Sequence, residues 1–131
     1  MNDLLAGRRI LVVEDEMLVL MNMEYLLADL GCSNVVAAAR VDQALALLET
    51  QVFDAALLDV NLNGNESYAV ADALAARGIP FAFTTGYSAD GMNKGYGETL
   101  VLRKPYQADA LLEIFERLLA ADIVPDPLPG A

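Results

Sequence analysis

Two periods of hydrophobic and polar positions alternate along the chain. Short aliphatic runs at 10–13, 35–38, 55–58, 81–83 and 100–102 break off into polar residues. Between them lie longer stretches with apolar residues at helical spacing. The pattern predicts helices over about 17–30, 41–49 and 67–77, with Gly31 and then Gly78 and Pro80 as stop signals. The last helix has the cleanest stripe: Leu111, Ile114, Phe115, Leu118 and Leu119 fall at i, i+3, i+4, i+7 and i+8. Runs too short for helices, alternating with helical stretches, predict an α/β fold around a parallel sheet.

One crossover breaks the rhythm. Residues 88–99 contain Gly91, Gly95 and Gly97, and each glycine in a helix costs about 0.5–1 kcal/mol relative to alanine. The fourth helix is therefore expected to be weak or missing. Asn61-Leu62-Asn63-Gly64 reads as a turn. Residues 1–7 read as a flexible lead-in, 8–120 as the folded domain, and 121–131 as a tail extended by Pro125, Pro127 and Pro129.

Composition narrows the chemistry. The chain has 131 residues, a hydrophobic fraction of 56% and a net charge of −11, which suits one domain with a full core. It has no histidine, so Ser-His-Asp and Cys-His catalysis and histidine-held metals are excluded. Only eight residues are Lys or Arg, too few for a basic face against phosphates, so no nucleic acid is expected as a partner. No apolar run reaches the roughly 18 residues of a membrane span, and the expected location is cytoplasmic. The single Cys32 reads as a small buried thiol.

What the strand-like runs lead into is more telling. Glu14 and Asp15 follow the first, Asp59 the third, Thr84-Thr85-Gly86 the fourth, and Arg103-Lys104-Pro105 the last. Functional groups of an open parallel sheet gather outside the carboxyl ends of its strands. One pocket would thus hold three carboxylates, a hydroxyl and an ammonium. Magnesium favours oxygen ligands and keeps several waters. Asp15 and Asp59 could bind it directly and Glu14 through water. A carboxylate such as Asp59 can accept a phosphoryl group, with Lys104 and Thr85 reaching its oxygens. Taken alone, each part is ordinary: acidic loops are usually just solvated, and Thr-Gly is usually turn chemistry. Their order and spacing make the signal.

The runs Ile-Leu-Val-Val-Glu-Asp-Glu (10–16), Leu-Leu-Asp-Val-Asn-Leu (57–62), Phe-Thr-Thr-Gly-Tyr (83–87) and Leu-Arg-Lys-Pro-Tyr (102–106) together resemble the receiver domain of two-component response regulators. The resemblance covers about residues 8–120. It implies a flavodoxin-like, doubly wound, five-stranded parallel sheet of order 2-1-3-4-5. It implies Mg2+-dependent phosphorylation of Asp59 by a histidine kinase or phosphotransfer protein. It assigns the metal to Glu14, Asp15, Asp59 and the backbone carbonyl of Asn61. The switch hydroxyl becomes Thr85 and the conserved ammonium Lys104, before a Pro105 peptide bond that is usually cis. It further implies that Asn61 and Tyr87 tune dephosphorylation, and that a kinase docks on the first helix and the loop at Tyr106-Gln107.

The stretch 83–87 looks like a subgroup named for a Phe-Ala-Thr-Gly motif, with Thr84 at the alanine position. Val101 stands where the family usually has an aromatic switch residue, so residues 88–99 are expected to switch by ordering. With eleven residues after Ala120, a stand-alone regulator is expected, signalling through an unknown downstream protein or a relay. A magnesium-dependent phosphohydrolase using an aspartyl phosphate is the alternative. It usually carries a second acid two positions past the nucleophile, and Asn61 stands there. A flavodoxin-like nucleotide or flavin binder would need a glycine loop after the first strand, where Glu14-Asp15-Glu16 would repel phosphate.

Overall fold

In the computed structural model of the protein, residues 5–62, 65–85, 101–103 and 108–123 are described. The short aliphatic runs become strands: β1 (Arg9–Val13), β2 (Asn34–Ala38) and β3 (Ala55–Asp59). Two-residue strands β4 (Asn61–Leu62) and β5 (Asn65–Glu66) follow, then β6 (Phe81–Thr85) and β7 (Val101–Arg103). The helices are α1 (Met17–Asp29), α2 (Val41–Thr50), α3 (Tyr68–Ala76) and α4 (Ala108–Ile123).

The main sheet is parallel, in the order β2-β1-β3-β6-β7, with β1 against β2 and β3. Such a sheet is buried on both faces, and β3 shows it, being buried at every residue. Alternate residues feed two separate cores. Ile10, Val12, Ala55, Leu57 and Ala82 pack with Met23 and Leu27 of α1 and Leu111, Phe115 and Leu119 of α4. Leu11, Val13, Ala56, Leu58 and Phe83 pack on the other face with Ala44 and Leu48 of α2 and Val70, Ala71 and Leu74 of α3. Burying one such Leu or Phe is worth about 1.5–3 kcal/mol.

The two glycine stop signals act as read. Gly31 and Gly78 have φ of 95° and 71°. At each, the following amide closes the helix: Cys32 N donates to Leu27 O at 2.9 Å, and Ile79 N to Leu74 O at 3.0 Å. This left-handed closure satisfies carbonyls that the helix leaves open.

Boundaries differ in three places. Leu5, assigned to the lead-in, is fully buried in the core beneath α1 and α4. α4 runs through Ile123, a few residues past the expected end at 120. Asn61 and Leu62, expected within a turn, form one strand of a small antiparallel hairpin, with Asn61 opposite Glu66 and Leu62 opposite Asn65. The crossover at 88–99 lies outside the described residues.

Candidate phosphoacceptor and metal site

All strands of the main sheet point the same way, so their carboxyl ends share one edge. β1 ends at Val13, and its ladder runs one residue further: the Glu14 amide donates to Ala38 O at 2.9 Å. That bond fixes Glu14 over the sheet edge, where it is 3% exposed. Its carboxylate accepts the amide of Glu16 at 3.0 Å, at the point where α1 begins. An amide at a helix start is well suited to a carboxylate. Asp59 is the last residue of β3 and is 6% exposed. Asp15 is half-buried on the turn between β1 and α1.

Glu14, Asp15 and Asp59 each offer an oxygen, and these oxygens lie within 4.8 Å of one another. At that spacing each pair of full negative charges repels by roughly 3 kcal/mol at an effective dielectric of about 20. A shared cation removes that cost. Three hard oxygen donors, two of them buried, make a donor set that suits a divalent cation of magnesium type. Held by these residues, such an ion would supply positive charge against the phosphoryl oxygens.

The other predicted residues are placed to different degrees. Thr85 ends β6, with Thr84 in register with Asp59 and Thr85 with Arg103 of β7. Asn61 lies two residues past Asp59, on β4. Tyr87, Lys104, Pro105 and the Tyr106-Gln107 loop lie outside the described residues.

The outer face of α1 is apolar: Met17, Leu18, Met21 and Tyr25 are 66%, 80%, 55% and 74% exposed. In the same helix, Met23 is buried and Val19 and Leu20 are partly so.

The sequence reading missed one residue. Ser67 is fully buried. Its hydroxyl lies 2.5 Å from the carbonyl of Asp59 and 3.2 Å from that of Val60. Its amide donates to Val60 O at 3.0 Å. From the other side, the Val60 amide donates to Thr84 O at 3.2 Å. A serine just before a helical run signals a cap, but this one makes no side-chain cap bond. Only the tertiary structure reveals that its hydroxyl turns back towards β3.

Known proteins share this sequence pattern and fold. The profile of the response regulator receiver domain matches residues 10–116. SdrG from Sphingomonas melonis Fr1, known from its solution structure, is 43% identical, with a TM-score of 0.78 over 86% of this chain and 96% of that one. The receiver domain of a sensor histidine kinase from Pseudomonas aeruginosa PAO1, crystallised with a magnesium ion coordinated in its active site cleft, is 28% identical. Its TM-score is 0.72, over 88% of this chain and 99% of that one. The alginate biosynthesis transcriptional regulatory protein AlgB of Pseudomonas aeruginosa is 36% identical over 110 residues, which are 79% of this chain and 24% of AlgB. The chain thus spans about a quarter of that regulator's length. With the family profile covering most of the chain, the protein belongs to the response regulator receiver domains of two-component systems.

Proposed function

We propose that Asp59 accepts a phosphoryl group from a phosphohistidine on a histidine kinase or phosphotransfer protein, with Mg2+ required. The observation that carries this reading is the meeting of Glu14, Asp15 and Asp59 within 4.8 Å at the edge of the sheet. Receiver domains are phosphoacceptor signalling modules rather than classical enzymes. A carboxylate oxygen of Asp59 forms the new P–O bond. The P–N bond of the donor breaks, and its electron pair leaves with the imidazole nitrogen. Glu14, Asp15 and the backbone carbonyl of Asn61 would hold the metal beside Asp59. Lys104 and Thr85 stabilise the phosphoryl oxygens. Tyr87, two positions past Thr85, is assigned to tuning the lifetime of the phosphorylated form. The signal leaves through contact with a downstream protein or by relay of the phosphoryl group.

The test is labelling with a small phosphodonor, read by intact mass. One phosphoryl group is expected in the presence of Mg2+, none after chelation, and none in Asp59→Asn. If Asp59→Asn labels as well as wild type, the acceptor is elsewhere and the reading fails.

A further inference from the structure

We propose that Ser67 is a positioning residue for the metal and phosphoacceptor site, acting through the backbone that leads out of Asp59. The inference rests on the reading of Asp59 and its acidic neighbours as a metal-holding phosphoacceptor site. Its own evidence is separate.

The chain leaves β3 at Asp59, passes through Val60 and enters the β4–β5 hairpin at Asn61. Ser67 closes that hairpin from behind, one residue past Glu66, which pairs with Asn61. A serine hydroxyl has one proton to donate. Here both neighbours are carbonyl oxygens, and the Asp59 carbonyl is the nearer, at 2.5 Å against 3.2 Å. The Ser67 amide holds the Val60 carbonyl, and Thr84 of β6 accepts the Val60 amide. The peptide units flanking Val60 are thus gripped from both sides, on one of them by the fully buried Ser67. That grip sets where the Asp59 carboxylate projects. It also sets the direction in which the next backbone carbonyl, that of Asn61, leaves the strand.

Helix capping does not account for the residue. Ser67 occupies the position before α3, yet its hydroxyl makes no cap bond there. Alanine at this place would remove the hydroxyl that now donates towards the Asp59 carbonyl and lies near that of Val60, and losing a buried hydrogen bond is costly. The relaxation open to the chain is a shift of the Asp59–Asn61 segment, which is where metal ligands are needed. Groups that orient metal ligands typically change metal affinity 10–100-fold when removed.

The experiment titrates wild type, Ser67→Ala and Ser67→Cys with MgCl2 alone, following backbone amide shifts of residues 14–16 and 59–61 by NMR. Melting of each metal-free protein is measured alongside. Ser67→Ala is expected to raise the half-saturating Mg2+ concentration about tenfold. Ser67→Cys keeps a side-chain donor, though a weaker one on a larger atom, so it is expected to fall between Ser67→Ala and wild type. A purely structural role would lower the melting temperature while leaving the Mg2+ midpoint unchanged, and that result overturns the proposal. Should Ser67→Ala not fold, the Cys variant decides alone: a raised midpoint supports the proposal and a wild-type midpoint refutes it. Because the titration involves no phosphodonor, it remains decisive even if Asp59 proves not to be the acceptor.

Discussion

Cys32 shows how burial decides the behaviour of a single group. It is 4% exposed, next to the sheet, with Sγ 3.8 Å from Arg8 O. Burial pushes its thiol above the ordinary value of 9.0, opposed in part by a backbone hydrogen bond from Asn34. The thiolate is the reactive form, so alkylation of the native protein at neutral pH is expected to be much slower than after unfolding. A mass-resolved iodoacetamide time course measures this, and matching rates would show that the site opens freely. The raised value also ties stability to pH. Below 9.0 both states hold the proton and nothing is lost. As pH climbs through 9.0 towards the higher folded value, the unfolded chain ionises first and stability falls. Replacing Cys32 with Ala should remove that part of the alkaline decline in urea melts. Asp59, Glu14 and Asp15 were legible in the sequence because each directly follows an apolar run that must be a strand. The role of Ser67 was not. The same letter in the same place signals a cap, and the turn of its hydroxyl is set by β3, which is remote from it in local pattern.

At the scale of elements, the strands and helices were readable because their periods are long and clean. The β4–β5 hairpin was not, since two-residue strands are too short to show alternation. Leu5 was missed for a related reason: one apolar residue beside Ala6 and Gly7 has no period at all. The helix ends can be tested directly. Nothing lies within 4 Å of a Cβ built on Gly78, so space is not the issue there; its φ of 71° is. Gly78→Ala is expected to cost about 1 kcal/mol in urea unfolding, and an unchanged midpoint would mean that the left-handed turn relaxes at no cost. On α1, the exposed Met17, Leu18 and Met21 begin directly after the acidic residues. Exposed methionine suits an adaptable protein contact. If a kinase docks there, Leu18→Glu should slow phosphotransfer from the kinase at least severalfold while labelling by a small phosphodonor continues at the wild-type rate. Equal loss of both would instead indicate damage to the fold.

The whole molecule carries a net charge of −11 and gathers three of its carboxylates at one point. Metal binding to the native state alone should therefore raise global stability by mass action, by about 2.7 kcal/mol at a hundredfold excess over Kd. Thermal melts in Mg2+ and after chelation check this. Coincident melts would mean that the acidic cluster binds no metal when folded.

The division of the interior into two cores has a further consequence, in the order in which the chain can be completed. The core under α2 and α3 draws on residues from Leu11 to Phe83. The core on the opposite face joins Leu5, near the start, to Leu111, Phe115 and Leu119, near the end. During synthesis the first set of partners is all present once Phe83 has emerged. The second waits for α4, leaving Ile10, Val12, Ala55 and Leu57 with only the α1 part of their cover until then. A chain stopped before residue 108 would possess every member of the acidic trio and still lack Leu111, Ile114, Phe115, Leu118 and Leu119 from its interior. Such a nascent protein should be protease-sensitive and prone to self-association, and it should hold no metal until its last turns of helix fold down over the sheet.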